Sequence, residues 1–121
     1  MASGTINPVA KSYTVDVTYS SKTLTWYVVE FQNGYVIITV DCGEVEVSAS
    51  TSGSGCYYSA VQNIPLPFNL ASGAITGIGN QMTFVSNANL NLTNQTANFR
   101  VASMNSRDVM LPVLTVFGVK A

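Results

Sequence analysis

Histidine is absent from this chain of 121 residues. Its absence removes the commonest general base and every Ser-His or Cys-His arrangement for nucleophilic catalysis. Charge is also scarce, because 9% of the residues are charged and the formal net charge is −1, whereas about a quarter of an average soluble domain is charged. The sequence therefore lacks His-based hydrolase chemistry and the basic surface that a nucleic-acid backbone requires.

Long apolar segments and targeting signals are missing as well. The apolar runs, such as residues 35–40 with Thr39 within them, are far short of the roughly 20 residues that span a bilayer. The amino end has neither the basic region nor the apolar stretch of a secretory signal. We therefore expect no membrane insertion and see no signal peptide.

Metal ligands and cysteines are too few to organise the domain. Cys42 and Cys56 are predicted to be two half-buried thiols, and a single disulfide between them is the alternative. Asp41, Glu44 and Glu46 could hold a hard cation such as Ca²⁺, but a solvated acidic edge that discourages strand addition is the preferred interpretation. We expect no metal and no cofactor.

The patterns that are present belong to β-strands. Between Lys11 and Ser20, apolar and polar residues alternate with a period of two, as in a half-buried strand. Similar segments recur about every ten residues to the end of the chain, which is typical of an antiparallel β-sandwich or jelly roll. The sequence thus predicts an all-β protein with a loose arm over residues 1–10 and a single sandwich domain over residues 11–121. The other predicted strand segments are Glu44–Ser50, Cys56–Gln62, Ile64–Phe68, Ala74–Ile78, Met82–Ser86, Ala88–Thr93, Ala97–Ser103 and Leu111–Val119.

The strongest local signal is a hairpin over Thr23–Cys42, where two β-rich runs flank Asn33-Gly34. This pair favours a two-residue type I′ turn, which fixes the register of the two strands. The resulting core pairs are Phe31 with Val36, Val29 with Ile38 and Tyr27 with Val40. The opposite face would carry Trp26, Val28 and Ile37, which we predict to form an interface between copies of the chain; cover by another part of the same chain is the alternative.

Saccharide binding is the chemistry that the remaining residues favour. Aromatic rings pack against the apolar faces of sugars, and amide or carboxylate side chains bond their hydroxyls. Tyr57 and Tyr58 follow a Ser/Gly-rich loop and could provide the rings. The predicted polar contributors are Asn80, Asn87, Asn89, Asn105 and Asp108.

Catalysis by carboxylates is the weakest alternative. A glycosidase needs two carboxylates facing each other across a cleft, and the closest match is Glu30 with Asp41. The predicted hairpin register places this pair on one face but several residues apart. We therefore predict that the protein is not an enzyme, and a small depolymerase is the alternative ranked last.

The order of motifs resembles a known group of proteins. Trp26 precedes Phe31-Gln32-Asn33-Gly34, then follow Ile64-Pro65-Leu66-Pro67-Phe68 and a closing Val116-Phe117-Gly118-Val119. In this order residues 23–121 are similar to the carboxy-terminal head domains of tail-fibre and receptor-binding proteins from phages of Gram-positive hosts. At Asp41-Cys42-Gly43 the sequence departs from that pattern, and no binding residue is carried over.

The resemblance implies a virion protein of the tail or fibre that is extracellular when it functions. It implies a host-recognition head with a β-sandwich fold, assembled as a homotrimer with other virion proteins and bound to cell-surface saccharide. A structural virion subunit without a ligand, such as a decoration, baseplate or shell protein, is the alternative function.

Overall fold

The computed structural model of the chain describes residues 8–47, 56–78, 83–104 and 109–121. These residues form antiparallel strands connected by turns, and no helix occurs among them. It follows that no helix in these ranges could span a membrane. The strands are β1 Val9–Tyr19, β2 Lys22–Phe31, β3 Tyr35–Asp41, β4 Val45–Glu46, β5 Tyr57–Tyr58, β6 Gln62–Pro65, β7 Leu70–Ile78, β8 Thr83–Asn91, β9 Thr96–Ser103, β10 Val109–Met110 and β11 Val113–Lys120.

Two main sheets contain most of the strands. The five-stranded sheet has the order β1-β2-β3-β11-β7. In the four-stranded sheet, β9 pairs with β8 along one edge and with β5 and β6 along the other. A short ladder of β4 and β10 completes the described pairings. The predicted all-β, antiparallel sandwich is confirmed.

The core fills the space between the two main sheets. Trp26 lies at its centre with none of its surface exposed, and its indole Nε1 donates a 2.8 Å hydrogen bond to the carbonyl of Pro65 in the opposite sheet. The Tyr19 hydroxyl likewise donates a 2.8 Å bond to Gln62 Oε1. These two bonds join β1 and β2 to β6, so the polar atoms of two large aromatic residues are satisfied inside the sandwich.

The hairpin of β2 and β3 forms as predicted, but its register differs by one residue. The connection is a three-residue loop in which the Gly34 amide donates to the Phe31 carbonyl at 3.1 Å. Gly34 has φ of 90°, as expected for a type I turn followed by a left-handed residue. A two-residue primed turn occurs instead between β1 and β2, where Ser20 and Ser21 have φ of 50° and 64°.

This one-residue shift reverses the two faces of β2. Val28 pairs with Ile38 and Trp26 with Val40, and all four side chains belong to the core. The prediction that Trp26 and Val28 lie on the outer face is therefore wrong. Ile37 does lie on the outer face and is half-buried.

Several strand boundaries also differ from the prediction, among them those of β1 and β8. Strand β1 begins at Val9, so the last two residues of the predicted arm belong to the sheet, while residues 1–7 lie outside the described ranges. Strand β8 is continuous over Thr83–Asn91, where two strands were predicted. The register shift between Ser86 and Asn89 marks a bulge that interrupts the alternation of side chains.

Candidate functional site

The two tyrosines predicted to bind saccharide lie on opposite faces of β5, because neighbouring side chains in a strand alternate. Tyr57 pairs with Ser103 and packs against the core. Tyr58 pairs with Ala102 and points to the outer face, where the guanidinium carbon of Arg100 lies 4.6 Å from its ring centroid. Only Tyr58 is therefore placed to contact a ligand.

Three asparagines form a row across the outer face of the four-stranded sheet. Asn98 of β9 pairs with Asn63 of β6 on one side and with Asn89 of β8 on the other. Asn63 and Asn89 are exposed, and Asn98 is half-buried. Directly opposed residues in a sheet have Cβ atoms about 5 Å apart. The row therefore places three neighbouring amides on the outer face of this sheet.

The side chains beside this row are also polar. The Thr96 hydroxyl donates a 2.8 Å bond to Asn98 Oδ1, which fixes the orientation of the central amide. Arg100 is the next outward residue along β9, and its Nη2 donates a 3.2 Å bond to the Ser59 carbonyl. The surface formed by Tyr58, Asn63, Asn89, Thr96, Asn98 and Arg100 is called the amide face below.

Arg100 is held rigidly for a surface cation. Its guanidinium stacks on Tyr58 and bonds the Ser59 carbonyl, while its buried Nε finds no acceptor among the described residues. A planar guanidinium that is fixed in this way presents an ordered set of donors. Among the described residues of the amide face, Arg100 carries the only formal charge.

The other predicted ligand residues are not brought together by described contacts. Of this group, Asn89 alone has a described side chain, and it lies in the amide face. Asn87 is described only through its backbone in β8. Asn80, Asn105 and Asp108 lie outside the described residues.

Sequence reasoning missed Asn63, Asn98 and Arg100. The signal for Asn98 and Arg100 was the alternation Thr96-Ala97-Asn98-Phe99-Arg100, in which the polar members share one face of a strand. The sequence has no comparable signal for Asn63, because its place beside Asn98 depends on the pairing of β6 with β9. The pairing of β8 with β9 contains a bulge, so the position of Asn89 could not be read from alternation either.

No family model, curated protein or solved structure matches this chain. Its function must therefore be inferred from the chemistry of its own surfaces.

The outer face of the five-stranded sheet has the opposite chemistry. Its exposed members include Tyr27 at 60%, Tyr35 at 57%, Phe117 at 49% and Ile78 at 66% of their full accessibility. Exposed apolar patches are typical of interaction surfaces. This surface is called the apolar face; its apolar side chains are Tyr27, Val29, Phe31, Tyr35, Ile37, Ile78, Val113, Phe117 and Val119.

The carboxylate pair considered for glycosidase chemistry is not assembled. In the observed register Glu30 pairs with Val36 on the core side of the hairpin, whereas Asp41 is exposed beside buried Val40. The two side chains thus project from opposite faces of the sheet. Asp41 instead accepts a 2.9 Å bond from the Gly43 amide.

Glu30 forms an ion-pair cluster at the end of the sandwich that contains Pro8 and Lys120. It accepts a short hydrogen bond from the Tyr13 hydroxyl. Its oxygens lie 3.6 Å from Lys11 Nζ and 3.5 Å from Lys120 Nζ. The hydrogen bond from Tyr13 lowers the pKa of Glu30, and the two lysines lower it further against an opposing effect of burial. Burial, followed by the same hydrogen bond, raises the pKa of Tyr13 to about 12.

Glu30→Gln should lower the free energy of unfolding at neutral pH by about 1 to 2 kcal/mol, as expected for loss of a hydrogen-bonded charge. Because folding lowers the pKa of Glu30, the ionised form stabilises the fold above the ordinary carboxyl pKa. That contribution disappears as the pH falls through the lower folded pKa. The stability difference between wild type and Glu30→Gln should therefore narrow in acid.

Urea unfolding at several pH values measures this difference. Glu46→Gln is the matched control, since Glu46 is exposed and the same carboxylate-to-amide change should alter stability by less than about 0.5 kcal/mol. A Glu30→Gln difference that is constant from neutral to acidic pH would contradict the assigned role of the ion-pair cluster.

Thiols and metal ligands provide no further site among the described residues. Cys42 and Cys56 are both free, and burial raises the pKa of the Cys42 thiol to about 12. Such a thiol is unreactive at neutral pH. Within the described ranges, no three acidic or cysteine side chains come together as a metal site.

Proposed function

We propose that this chain is a virion host-recognition domain of the tail or fibre that binds cell-surface saccharide through its amide face. The observation that supports the proposal best is the row Asn63-Asn98-Asn89, with the stacked pair of Tyr58 and Arg100 beside it. In this proposal the protein binds the saccharide and does not cleave or modify it.

The chemistry of the amide face suits sugar hydroxyls. Each amide offers two donors and a carbonyl acceptor, and a hydroxyl group can use either. A row of amides can therefore bond successive hydroxyls of an extended saccharide without requiring the ligand to carry charge. The edge of the Tyr58 ring and the plane of Arg100 add an apolar and cationic surface at one end of the row.

The position of the amide face on β-strands also suits a receptor-binding domain. Strand residues hold these side chains, which reduces the conformational entropy lost on binding. The resemblance to phage head domains adds the virion context and an extracellular site of action. The homotrimer that the resemblance also implies is an alternative to the two-fold pair proposed below, and the mass of the protein in solution distinguishes the two assemblies.

Asn63→Ala combined with Asn98→Ala should weaken saccharide binding by about tenfold or more, because each lost hydrogen bond contributes about 1 kcal/mol. The binding assays are an array of bacterial cell-wall saccharides and intact Gram-positive cells. Thr39→Ala is the control variant, since Thr39 lies on the opposite outer face of the molecule. Thermal unfolding of each variant separates loss of binding from loss of fold.

Arg100→Lys provides a second test of the same surface. Lysine keeps the charge but cannot reproduce the planar stack on Tyr58 or the fixed set of donors. We expect weaker binding in this variant as well. Full retention of binding in both the double asparagine variant and Arg100→Lys would exclude the amide face as the saccharide site.

A structural virion subunit is the second candidate, and the extent of the apolar face favours it. A subunit of this kind would contact only virion proteins. It should bind neither the array nor intact cells, whereas a host-recognition domain should bind at least one of them.

A further inference from the structure

We propose that the apolar face packs against the same face of a second copy of this chain. The apolar face is separate from the amide face, so this pairing does not depend on whether the chain binds saccharide.

The size of the outer face is close to the lower limit for a specific contact. The sheet is five strands wide, and β3 extends over seven residues. At about 4.8 Å between strands and 3.3 Å per residue, the whole outer face, including the polar outer side of β1, covers on the order of 550 Å². Two such faces that overlap fully remove roughly 1,100 Å² from solvent, just above the approximately 1,000 Å² that a specific interface needs and typical of a weak, reversible contact.

The distribution of charge favours a copy of the chain over a charged partner. On the described outer face, Val29 pairs with Ile37 and Ser12, and Tyr27 pairs with Thr39 and Thr14. Phe31 pairs with Val9, so none of these neighbours is charged. The described carboxylates of this face, Asp16 and Asp41, lie at the end where β3 finishes. An uncharged centre creates no like-charge repulsion when it meets itself, and it offers nothing to attract a basic or acidic partner.

The shape of the face is also self-complementary. A shallow groove of about 450 Å³ lies over β3, β11 and β7, with Tyr35 and Phe117 among its lining residues. Tyr27, which is 60% exposed, stands on β2 at the other side of β3. Since β3 is the middle strand, a two-fold axis near β3 brings Tyr27 of each copy toward the groove of the other. Two sheets of the same twist can stack in this way.

Light scattering and sedimentation velocity at micromolar concentrations should give the mass of two chains. Phe117→Glu and Tyr27→Glu each place a charge in the contact and should raise the dissociation constant about a hundredfold or more. Asn63→Glu is the matched control, because it introduces the same charge on the amide face and should leave the dimer intact. Phe117→Ser and Tyr27→Ser repeat the test without a new charge in case a glutamate variant fails to fold.

The substitution Thr39→Cys tests whether β3 lies near the two-fold axis. Thr39 lies on the outer face of β3, near the expected axis, so Thr39→Cys in a Cys56→Ser background should form a disulfide between chains under mild oxidation. Asn98→Cys in the same background should not. A wild-type mass of one chain, or a dimer unaffected by the Phe117 and Tyr27 variants, overturns the proposal. A mass of three chains overturns the two-fold pair in favour of the trimer that the resemblance implies.

Discussion

Trp26→Ala is expected to lower the free energy of unfolding by about 3 to 5 kcal/mol. The indole is fully buried between the two sheets, and alanine leaves both a cavity and an unpaired Pro65 carbonyl. Small domains are stable by only about 5 to 15 kcal/mol, so this single change removes a large share of the total. Denaturant unfolding followed by circular dichroism measures it.

Tyr27→Ala is the control that makes this prediction specific to the register. Tyr27 is the next residue in β2 and is also aromatic, but most of its surface is exposed. In dilute protein its replacement should change stability by less than about 0.5 kcal/mol. If Tyr27→Ala lowered the free energy of unfolding strongly and Trp26→Ala only slightly, the hairpin would have the two-residue turn predicted from Asn33-Gly34.

Gly118→Ala is expected to lower the free energy of unfolding by about 1 to 3 kcal/mol, as overpacking does. A Cβ at this position would lie 2.7 Å from the backbone carbonyl oxygen of Ser72. Backbone atoms in a paired strand cannot move aside as a flexible side chain can. The ladder between β11 and β7 must therefore shift to accept the methyl group.

Gly77→Ala provides the matched comparison, because the atoms that an added Cβ would meet there belong to a side chain and not to the backbone. A Cβ there would lie 2.7 Å from Val85 Cγ1, across the contact between β7 and β8. The Val85 Cβ would also lie only 2.9 Å away. Gly77→Ala should therefore lower the free energy of unfolding strongly alone and much less in a Val85→Gly background, which a double-mutant cycle by urea unfolding measures. The same background should not rescue Gly118→Ala. Equal rescue of both variants would contradict the assigned contacts.

The fold was predictable because strand signals are local. Alternation in residues 11–20 and the turn residues after Phe31 determine where strands begin and reverse, without information from distant parts of the chain. The register of β2 against β3 was not predictable to one residue. Asn33-Gly34 suits both a two-residue primed turn and a three-residue loop with Gly34 at positive φ, and the choice between them depends on burial of Trp26 in the core.

The candidate site was only partly predictable, for a related reason. Tyr58 and Asn89 were chosen by residue type, but their neighbours come from other strands. Asn63 and Asn98 are 35 residues apart in sequence and become neighbours through the pairing of β6 with β9. Pairings of this kind follow from the whole topology, so residue type indicated Tyr58 and Asn89 but not the residues that strand pairing places beside them.

Backbone amide chemical shifts, recorded while the best-binding array saccharide is added to the isotopically labelled protein, locate the bound saccharide on the surface. We expect saturable shifts concentrated at Asn63, Asn89, Asn98 and Arg100, with Tyr27 and Phe117 unchanged. Shifts confined to the apolar face, or an array on which no saccharide binds, would contradict saccharide binding through the amide face.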